Sequence, residues 1–194
     1  HDILFFWVAR MIMLGIYATG RPPFKYVYLH GLVRDRDRQK MSKSRGNVID
    51  PLGVIDIYGA DALRMALVIG ATAGNDPIIS EDKIRGYRNF ATKIWNAARF
   101  VLMNYEPKFE KIKPKFSKKD KKHLAELKKI QKHVTKDLNS FRFHHAAETI
   151  YHYFWHTFAD KIIEESKPRL KSDNQTERAA SFALVFQIRA LGKR

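Results

Sequence analysis

Apolar and polar residues are arranged differently in the two parts of the chain. Residues 2–19 are apolar on nearly every face, which predicts a helix buried between other elements. Residues 25–33 are rich in β-branched and aromatic side chains without alternation, which is typical of a parallel strand buried on both faces. From Ser80 onward the apolar residues recur with the 3.6-residue period of amphipathic helices. The pattern predicts an α/β segment over residues 1–79 and an all-α helical bundle over residues 80–194, so that the chain is mostly helical.

Capping residues predict where the helices of the bundle begin. Ser80 is followed by the acidic Glu81 and Asp82, which suit the first turn of a helix. Ser117 and Asp120 have the spacing of a capping box. The connector between these two helices, residues 106–116, holds two prolines among lysines. Two more helices are predicted, one with an apolar face from Ala147 to Ile162 and one from Thr176 to Leu191, the last incomplete at its C-terminal end.

The net charge narrows the choice of partners. Lysine and arginine number 36 against 20 aspartate and glutamate, which gives a formal charge of +16 and indicates a polyanion, nucleic acid first. Two alternatives are a solvated helical surface and an anionic membrane surface. The chain has no cysteine, so disulfides and thiolate metal sites are excluded and a cytoplasmic location is expected. Its eight histidines have no metal-binding spacing, so no protein-bound metal is predicted.

The apolar N-terminal stretch predicts no membrane span. It is interrupted by Arg10 and is shorter than the roughly 20 residues that cross a bilayer. The chain begins with His1 and continues directly into this stretch, without an initiator methionine or a polar leader. We expect it to be an interior piece of a longer protein.

The most specific motif is Lys40-Met41-Ser42-Lys43-Ser44, within a polar loop over residues 34–46. Two ammonium groups three residues apart, with hydroxyls and main-chain amides between them, can hold phosphate oxygens. An arbitrary pair of lysines on a loop is more often only solvated. This pentapeptide, however, equals the KMSKS signature of class I aminoacyl-tRNA synthetases at every position.

The surrounding sequence resembles the valyl-tRNA synthetases within that class. The resemblance follows the order DILFFWVARMIMLG, HGL, KMSKSRGNVIDP, GADALR and GYRNFATKIWNAARFVLMN, and it covers most of the chain. It implies the C-terminal part of a Rossmann-like catalytic domain with a stem-contact region over residues 1–79, and an anticodon-binding domain over residues 80–194. The near alternative is an isoleucyl or leucyl relative. A non-catalytic basic module that binds RNA is a further alternative, but it leaves the KMSKS sequence without a role.

The resemblance also implies roles for individual residues. ATP, arriving with Mg²⁺, would be bound by Lys40, Met41, Ser42, Lys43 and Ser44, with the two lysines stabilising negative charge rather than acting as acid or base. Valine would bind in a pocket near Asp2, Ile3 and Trp7 whose apolar wall selects a branched side chain, although Ile3 and Trp7 could equally be core residues. The tRNA for valine would be bound by basic residues of the first bundle helix, namely Arg85, Arg88, Lys93 and Arg99, and by lysines between Lys118 and Lys132.

Two family features are missing from these 194 residues. The His-x-Gly-His sequence of the class does not occur, since His30-Gly31 does not match it, and no room remains for an editing domain that would reject threonine. We therefore expect this chain alone to form no adenylate at a useful rate. The whole enzyme is expected to be a monomer, and the oligomeric state of the chain is left open.

Overall fold

The computed structural model describes residues 3–189, with the side chains of residues 110 and 189 excepted. A π-helical turn, Leu4–Val8, leads into α1, Ala9–Thr19. Gly20 ends α1 in the left-handed region at φ 69°, where its N–H donates to the Ile16 carbonyl. A glycine is suited to this position because a Cβ disfavours positive φ.

The burial expected for residues 3–19 is wrong. Val8 is the one residue of this stretch that is buried among the described side chains, whereas Phe5 is 78% and Tyr17 is 91% exposed. The helix itself forms as expected. An apolar helix is buried only where other elements cover its faces, and within residues 3–189 nothing packs over most of this one.

The strand predicted at residues 25–33 is also not formed. Within residues 3–189 β-pairing is limited to isolated bridges, an antiparallel one between Arg34 and Lys40 and a parallel one between Arg34 and Ile78. The segment is extended, but a strand requires a neighbour with which to build a ladder. Few main-chain hydrogen bonds connect this stretch to residues 74–79. The Gly74 N–H donates to the Leu29 carbonyl at 3.3 Å, and the N–H of Arg34, directly after the segment, donates to the Pro77 carbonyl at 3.0 Å.

Two short helices and the start of a long one enclose the smaller of the two hydrophobic cores. Helix α2, Pro51–Tyr58, begins at Asp50, whose carboxylate accepts the N–H groups of Leu52 and Gly53. Helix α3, Ala60–Val68, follows after Gly59. The buried residues of this core are Val54, Ala62, Ala66, Ile79 and Ile84.

The long helix α4, Glu81–Met103, connects the two cores. Ser80 caps it by accepting the N–H of Lys83 at 3.2 Å, as expected. Its first turn places Ile84 in the smaller core, while Ala97 and Val101 lie in the larger one. A 3₁₀ helix, Pro107–Lys111, lies in the predicted connector.

The remaining helices form the larger core. Helix α5, Lys118–Asn139, begins with the predicted capping box of Ser117 and Asp120. Helix α6, Phe143–His152, continues through a π-helical stretch, Tyr153–Ile162, into α7, Ile163–Leu170, and α8 covers Gln175–Arg189. The side chains that meet here come from α4, α5, the π-helical stretch, α7 and α8, and they include Val101, Leu127, Phe158, Ile162, Leu184 and Val185.

The chain is therefore mostly helical, as predicted, and its second part is a helical bundle. The sheet of the α/β part is not formed by residues 3–189. The division at residue 79 stays a prediction, since α4 packs against both cores.

Candidate functional site

The KMSKS residues lie on a loop that directly follows a tight turn, residues 34–40, whose ends meet. The Asp35 N–H donates to the Gln39 carbonyl at 3.1 Å, next to the bridge between Arg34 and Lys40. A short 3₁₀ turn, Lys43–Arg45, forms the tip of the loop. Gly46 closes it at φ 68°, with its N–H donating to the Lys43 carbonyl at 3.2 Å. The left-handed conformation at this point favours glycine.

One side chain, Asn47, spans the base of this loop. Its Oδ1 accepts the Ser42 N–H at 2.9 Å. Its Nδ2 donates to Asp35 Oδ2 at 2.7 Å and to the Lys40 carbonyl at 3.3 Å. The amide therefore contacts the main chain on both sides of Met41.

Asp35 is the partner that orients this amide. Its Oδ1 accepts the N–H groups of Asp37 at 3.0 Å and Gln39 at 2.7 Å. The hydrogen bond from Asn47 lowers the pKa of Asp35 most, burial opposes it, and the N–H groups of Gln39 and Asp37 and the charge of Arg45 lower it further. Asp35 is thus a charged acceptor at neutral pH.

The loop is attached to the smaller core at two points. Met41 is partly buried and packs against the core formed by α2, α3 and the start of α4. Arg34 Nε donates to Asp76 Oδ2 at 2.5 Å, and the Leu32 N–H donates to the other oxygen of Asp76 at 2.8 Å. The bond from Arg34 is the main cause that lowers the pKa of Asp76. These contacts hold the base of the loop, and its tip projects into solvent.

Lys40 and Lys43 are both exposed, and neither forms an ion pair or hydrogen bond through its ammonium group within residues 3–189. The hydroxyls of Ser42 and Ser44, on either side of Lys43 in the sequence, share a hydrogen bond of 3.3 Å that leaves one of them able to donate elsewhere. Arg45 is braced by Gln39 Oε1 at 3.2 Å. The loop therefore offers free cationic and hydroxyl donors, which suits a polyphosphate and supplies no general base.

The residues predicted for the amino-acid pocket form no enclosed site within residues 3–189. Ile3 is 55% and Trp7 is 62% exposed, so neither is a core residue. Asp2 lies outside the described residues. The pocket stays a prediction.

The predicted RNA contacts on α4 fall into two sets. Arg85, Arg88 and Arg99 are exposed and share one face, since their spacings of three and eleven residues bring them to nearly the same helical angle. Arg85 is paired with Asp82, whereas Arg88 and Arg99 have no ion pair within the described residues. Trp95, 72% exposed, lies on the same face. Trp95 was not predicted from the sequence as part of this face, although helical periodicity could have indicated it.

Lys93 points to a different side of α4. Its Nζ donates to Asp160 Oδ1 at 2.5 Å and lies 4.4 Å from the centre of the Trp155 ring. Trp155 in turn stacks on Phe90 at 6.0 Å. Lys93 thus joins α4 to the π-helical stretch.

The lysines of α5 keep their charge exposed. Lys119 pairs with Glu165 at 2.8 Å. The other exposed lysines of the predicted range are Lys118, Lys121, Lys122, Lys128, Lys129 and Lys132.

Several aromatic residues of this part of the chain pack within the fold. Tyr153 is buried, and burial raises its pKa. Tyr28 packs against Phe143 at 5.3 Å and Tyr26 against Phe141 at 5.2 Å, which ties the extended segment to the turn before α6.

Three side chains lie close enough together to bind a metal ion, but a hydrogen bond occupies the lone pair that one of them would need for it. The ligand atoms of His144, His145 and Glu148 lie within 4.8 Å of one another. His144 Nδ1, however, accepts the Gly70 N–H at 2.9 Å. The ring proton of a neutral His144 is then on Nε2, so neither nitrogen has a free lone pair for a metal. Every helix within the described residues is too short or too polar to span a bilayer.

The chain is similar in sequence to known aminoacyl-tRNA synthetases. Residues 1–80 match the model of the tRNA synthetases class I (I, L, M and V), and residues 120–192 match that of the anticodon-binding domain of tRNA ligase. The valine--tRNA ligase of Clostridium acetobutylicum is 42% identical over 99% of this chain, and that of Thermotoga maritima is 50% identical over 90% of it. By sequence, the chain corresponds to a segment of the valyl-tRNA synthetases.

The match covers only part of those valyl-tRNA synthetases. The chain spans 22% of the length of the Clostridium acetobutylicum enzyme and 20% of that of Thermotoga maritima. The segment matched is the one that contains the KMSKS loop and the helices after it.

Solved structures share the fold of this valyl-tRNA synthetase segment. A methionyl-tRNA synthetase of Mycobacterium tuberculosis, in complex with methionyl-adenylate, superposes with a TM-score of 0.77 over 98% of this chain and 38% of that one, at 22% identity. The LeuRS of Agrobacterium radiobacter K84, in a ternary complex with tRNA and LeuAMS, gives a TM-score of 0.62 over 88% of this chain and 21% of that one, at 23% identity.

Proposed function

We propose that this chain is a working part of a valine-tRNA ligase, which activates valine with ATP and transfers it to its tRNA. Residues 1–79 would be the C-terminal part of the Rossmann-like catalytic domain with the stem-contact region, and residues 80–194 the anticodon-binding domain. The observation that carries the proposal is the exposed, unpaired state of Lys40 and Lys43 on a closed loop, in a chain 42–50% identical to valine--tRNA ligases.

In the proposed reaction a valine carboxylate oxygen attacks the α-phosphorus of ATP, and the bond to pyrophosphate breaks with its electron pair leaving on the pyrophosphate oxygen. Lys43 would contact the triphosphate, and Lys40 would stabilise the charge that gathers on the departing pyrophosphate. Both would act as positive charges, because within residues 3–189 neither ammonium group has a hydrogen-bonding or ionic partner that could exchange a proton with it. ATP arrives as its Mg²⁺ complex. A ribose hydroxyl at the end of the tRNA then takes the valyl group and releases AMP.

Ser42 and Ser44 would add donors to the phosphate oxygens, and Met41 would hold the loop to the core. The pocket for valine would include Asp2, Ile3 and Trp7. Ile3 and Trp7 are open in residues 3–189, so other parts of the ligase would have to cover them. A pocket that is not enclosed discriminates poorly between similar side chains.

The tRNA for valine would lie along the exposed face of α4. Arg85, Arg88 and Arg99 supply the positive charge there, and the formal charge of +16 favours a polyanion in general. Lys93 contributes to this face least, because it is already held by Asp160 and Trp155. The exposed lysines of α5 would extend the contact. The whole ligase would act as a cytoplasmic monomer.

The experiment that tests this proposal is fluorescence anisotropy of the chain with the tRNA for valine and with a non-cognate tRNA, at low and near-physiological salt. We expect tighter binding of the valine tRNA that persists at the higher salt. Equal binding that disappears with salt would contradict the proposed recognition and leave only a polyanion surface. We expect no adenylate formation by the chain alone, since the His-x-Gly-His sequence of the class is not among its residues.

A further inference from the structure

The side-chain amide of Asn47 holds two main-chain groups that flank Met41. It accepts the N–H of Ser42 at 2.9 Å and donates to the carbonyl of Lys40 at 3.3 Å. Met41 itself packs against the smaller core. The main chain from Lys40 to Ser42 is thus held on one side by the partly buried side chain of Met41 and on the other by the Asn47 amide.

Asp35 determines which way this amide faces. Its Oδ1 already accepts two main-chain N–H groups, from Asp37 and Gln39. Its Oδ2 accepts the Nδ2 of Asn47 at 2.7 Å, so the NH₂ end of the amide points to Asp35 and the oxygen end points to Ser42. A rotated amide would place its oxygen against the carboxylate and its NH₂ against the Ser42 N–H, and both contacts would be lost.

We propose that Asn47 and Asp35 are positioning residues for the phosphate loop, which set the direction in which Lys40 and Lys43 present their ammonium groups. The proposal rests on the function proposed above for this loop. Neither residue has to touch the phosphates. A loop that is already shaped for its ligand loses less conformational entropy on binding, and its binding is correspondingly tighter.

The charge of Asp35 gives the proposal an unusual test. A carboxylate beside a phosphate site repels the ligand, so removal of its charge should strengthen binding if charge alone matters. The positioning role predicts the opposite for Asp35→Asn. An asparagine at this position would turn its NH₂ either toward Asn47 or toward the N–H groups of Asp37 and Gln39, and each choice places donor against donor.

An exchanged pair restores the geometry at unchanged net charge. In Asp35→Asn with Asn47→Asp, the new asparagine keeps its oxygen on the two main-chain N–H groups and donates its NH₂ to the new aspartate. The free oxygen of that aspartate can accept the Ser42 N–H. The 3.3 Å bond from Nδ2 to the Lys40 carbonyl is lost, and a contact between two acceptors takes its place, so the recovery should be incomplete.

The experiment is titration of the ¹⁵N-labelled chain with sodium tripolyphosphate, followed through the amide signals of residues 42–46. The native chain, Asp35→Asn, Asn47→Asp and the exchanged pair are compared. Asn89→Asp on an exposed turn of α4 is the control for an added charge away from the loop. We expect each single variant to bind about tenfold more weakly, which corresponds to one charge-assisted hydrogen bond, and the exchanged pair to recover to within about threefold of the native chain. Thermal unfolding of each variant checks that the fold is kept.

The outcomes separate the two proposals. If the native chain shows no shift of these signals with tripolyphosphate, the phosphate role of the loop is wrong and the positioning role is wrong with it. If the native chain binds and Asp35→Asn binds equally or more tightly, only the positioning role is overturned. Weak binding by both single variants with recovery in the exchanged pair supports it, because a merely structural loss would not be reversed by exchange.

Discussion

The main-chain N–H of Gly70 donates a hydrogen bond to Nδ1 of His144 at 2.9 Å, and this bond joins the end of α3 to the first turn of α6. Lys83 adds a second link from α4, since its Nζ donates to the Ile69 carbonyl at 2.8 Å and to the Ile78 carbonyl at 3.2 Å. Burial lowers the pKa of Lys83 at this position. These side chains, from two helices, thereby connect the part of the chain that contains the KMSKS loop to the bundle.

Replacement of His144 should remove the hydrogen bond from Gly70 and lower the free energy of unfolding. His144→Phe keeps a ring of similar size but removes the acceptor for the Gly70 N–H, so we expect a loss of about 1 kcal/mol in the free energy of unfolding and a fall in Tm of about 2 to 4 °C. Thermal unfolding followed by circular dichroism measures it. The matched control is His145→Phe, since His145 is exposed and does not contact Gly70. Equal effects of the two substitutions would contradict the role of the hydrogen bond.

Gly31 is required where the extended segment meets residues 74–79. A Cβ at this position would lie 2.1 Å from the carbonyl oxygen of Asn75, and 2.6 Å from the Cα of Asp76. These are main-chain atoms, which cannot move aside as a side chain does. We expect Gly31→Ala to destabilise the chain by about 3 kcal/mol and to release the contact between Arg34 and Asp76.

The control for Gly31 is the same substitution in an open position. A Cβ at Gly86, on an exposed turn of α4, meets no atom within 4 Å. Gly86→Ala should therefore stabilise the chain by about 0.5 to 1 kcal/mol, because alanine favours a helix. Urea unfolding of both variants gives the two free energies, and a common sign would contradict the close approach at Gly31.

The two faces of α4 predict different salt dependence for RNA binding. Arg88→Ala and Arg99→Ala each remove an unpaired charge from the exposed face, so each should lower the slope of log K against log salt by about 1. Lys93→Ala should leave that slope unchanged and lower stability instead, because it breaks contacts with Asp160 and Trp155. Anisotropy with the tRNA for valine over a salt series measures all three variants. A slope lost with Lys93→Ala and kept with Arg88→Ala would reverse the assignment.

The features that depend on near neighbours in sequence could be predicted, and those that depend on distant ones could not. Ser80 and Ser117 were correct as caps because a cap bonds to an N–H within three residues. Burial of residues 3–19 and pairing of residues 25–33 depend on elements that must lie alongside, and the pattern of apolar residues does not report whether they do.

In the candidate site, too, contacts between residues distant in sequence could not be predicted. The motif located Lys40 and Lys43, but the bond between Asn47 and Asp35 joins residues twelve apart on opposite sides of the loop, which no spacing rule connects. Lys93 was grouped with Arg88 and Arg99 by charge alone. A helical wheel would have separated it, since it is offset from that face by roughly 100° or more.

A buried carboxylate of the bundle, Asp120, gives the last prediction. Asp120 is 1% exposed and accepts two hydrogen bonds from Arg169, at 2.8 Å and 3.0 Å, in addition to its capping contact with Ser117. Burial acts to raise the pKa of Asp120, but the hydrogen bonds from Arg169 and Ser117 outweigh it and leave the pKa lowered. Arg169→Leu would leave this carboxylate without its counter-ion.

We expect Arg169→Leu to cost about 2 to 3 kcal/mol at neutral pH, somewhat less than for a fully enclosed pair because the arginine side chain is 26% exposed. A group whose pKa is lowered by folding stabilises the fold above its unfolded pKa and loses that contribution as the pH falls through the folded value. The unfolded chains titrate alike, so the difference between native chain and variant should shrink as the pH falls from the folded pKa of Asp120 in the variant, where burial is less opposed, toward its lowered pKa in the native chain. Denaturant unfolding from pH 7 to pH 3 measures it, with Lys167→Leu, which breaks an exposed pair with Glu164, as the control. A difference independent of pH would show that Arg169 stabilises the bundle by packing and not by its charge.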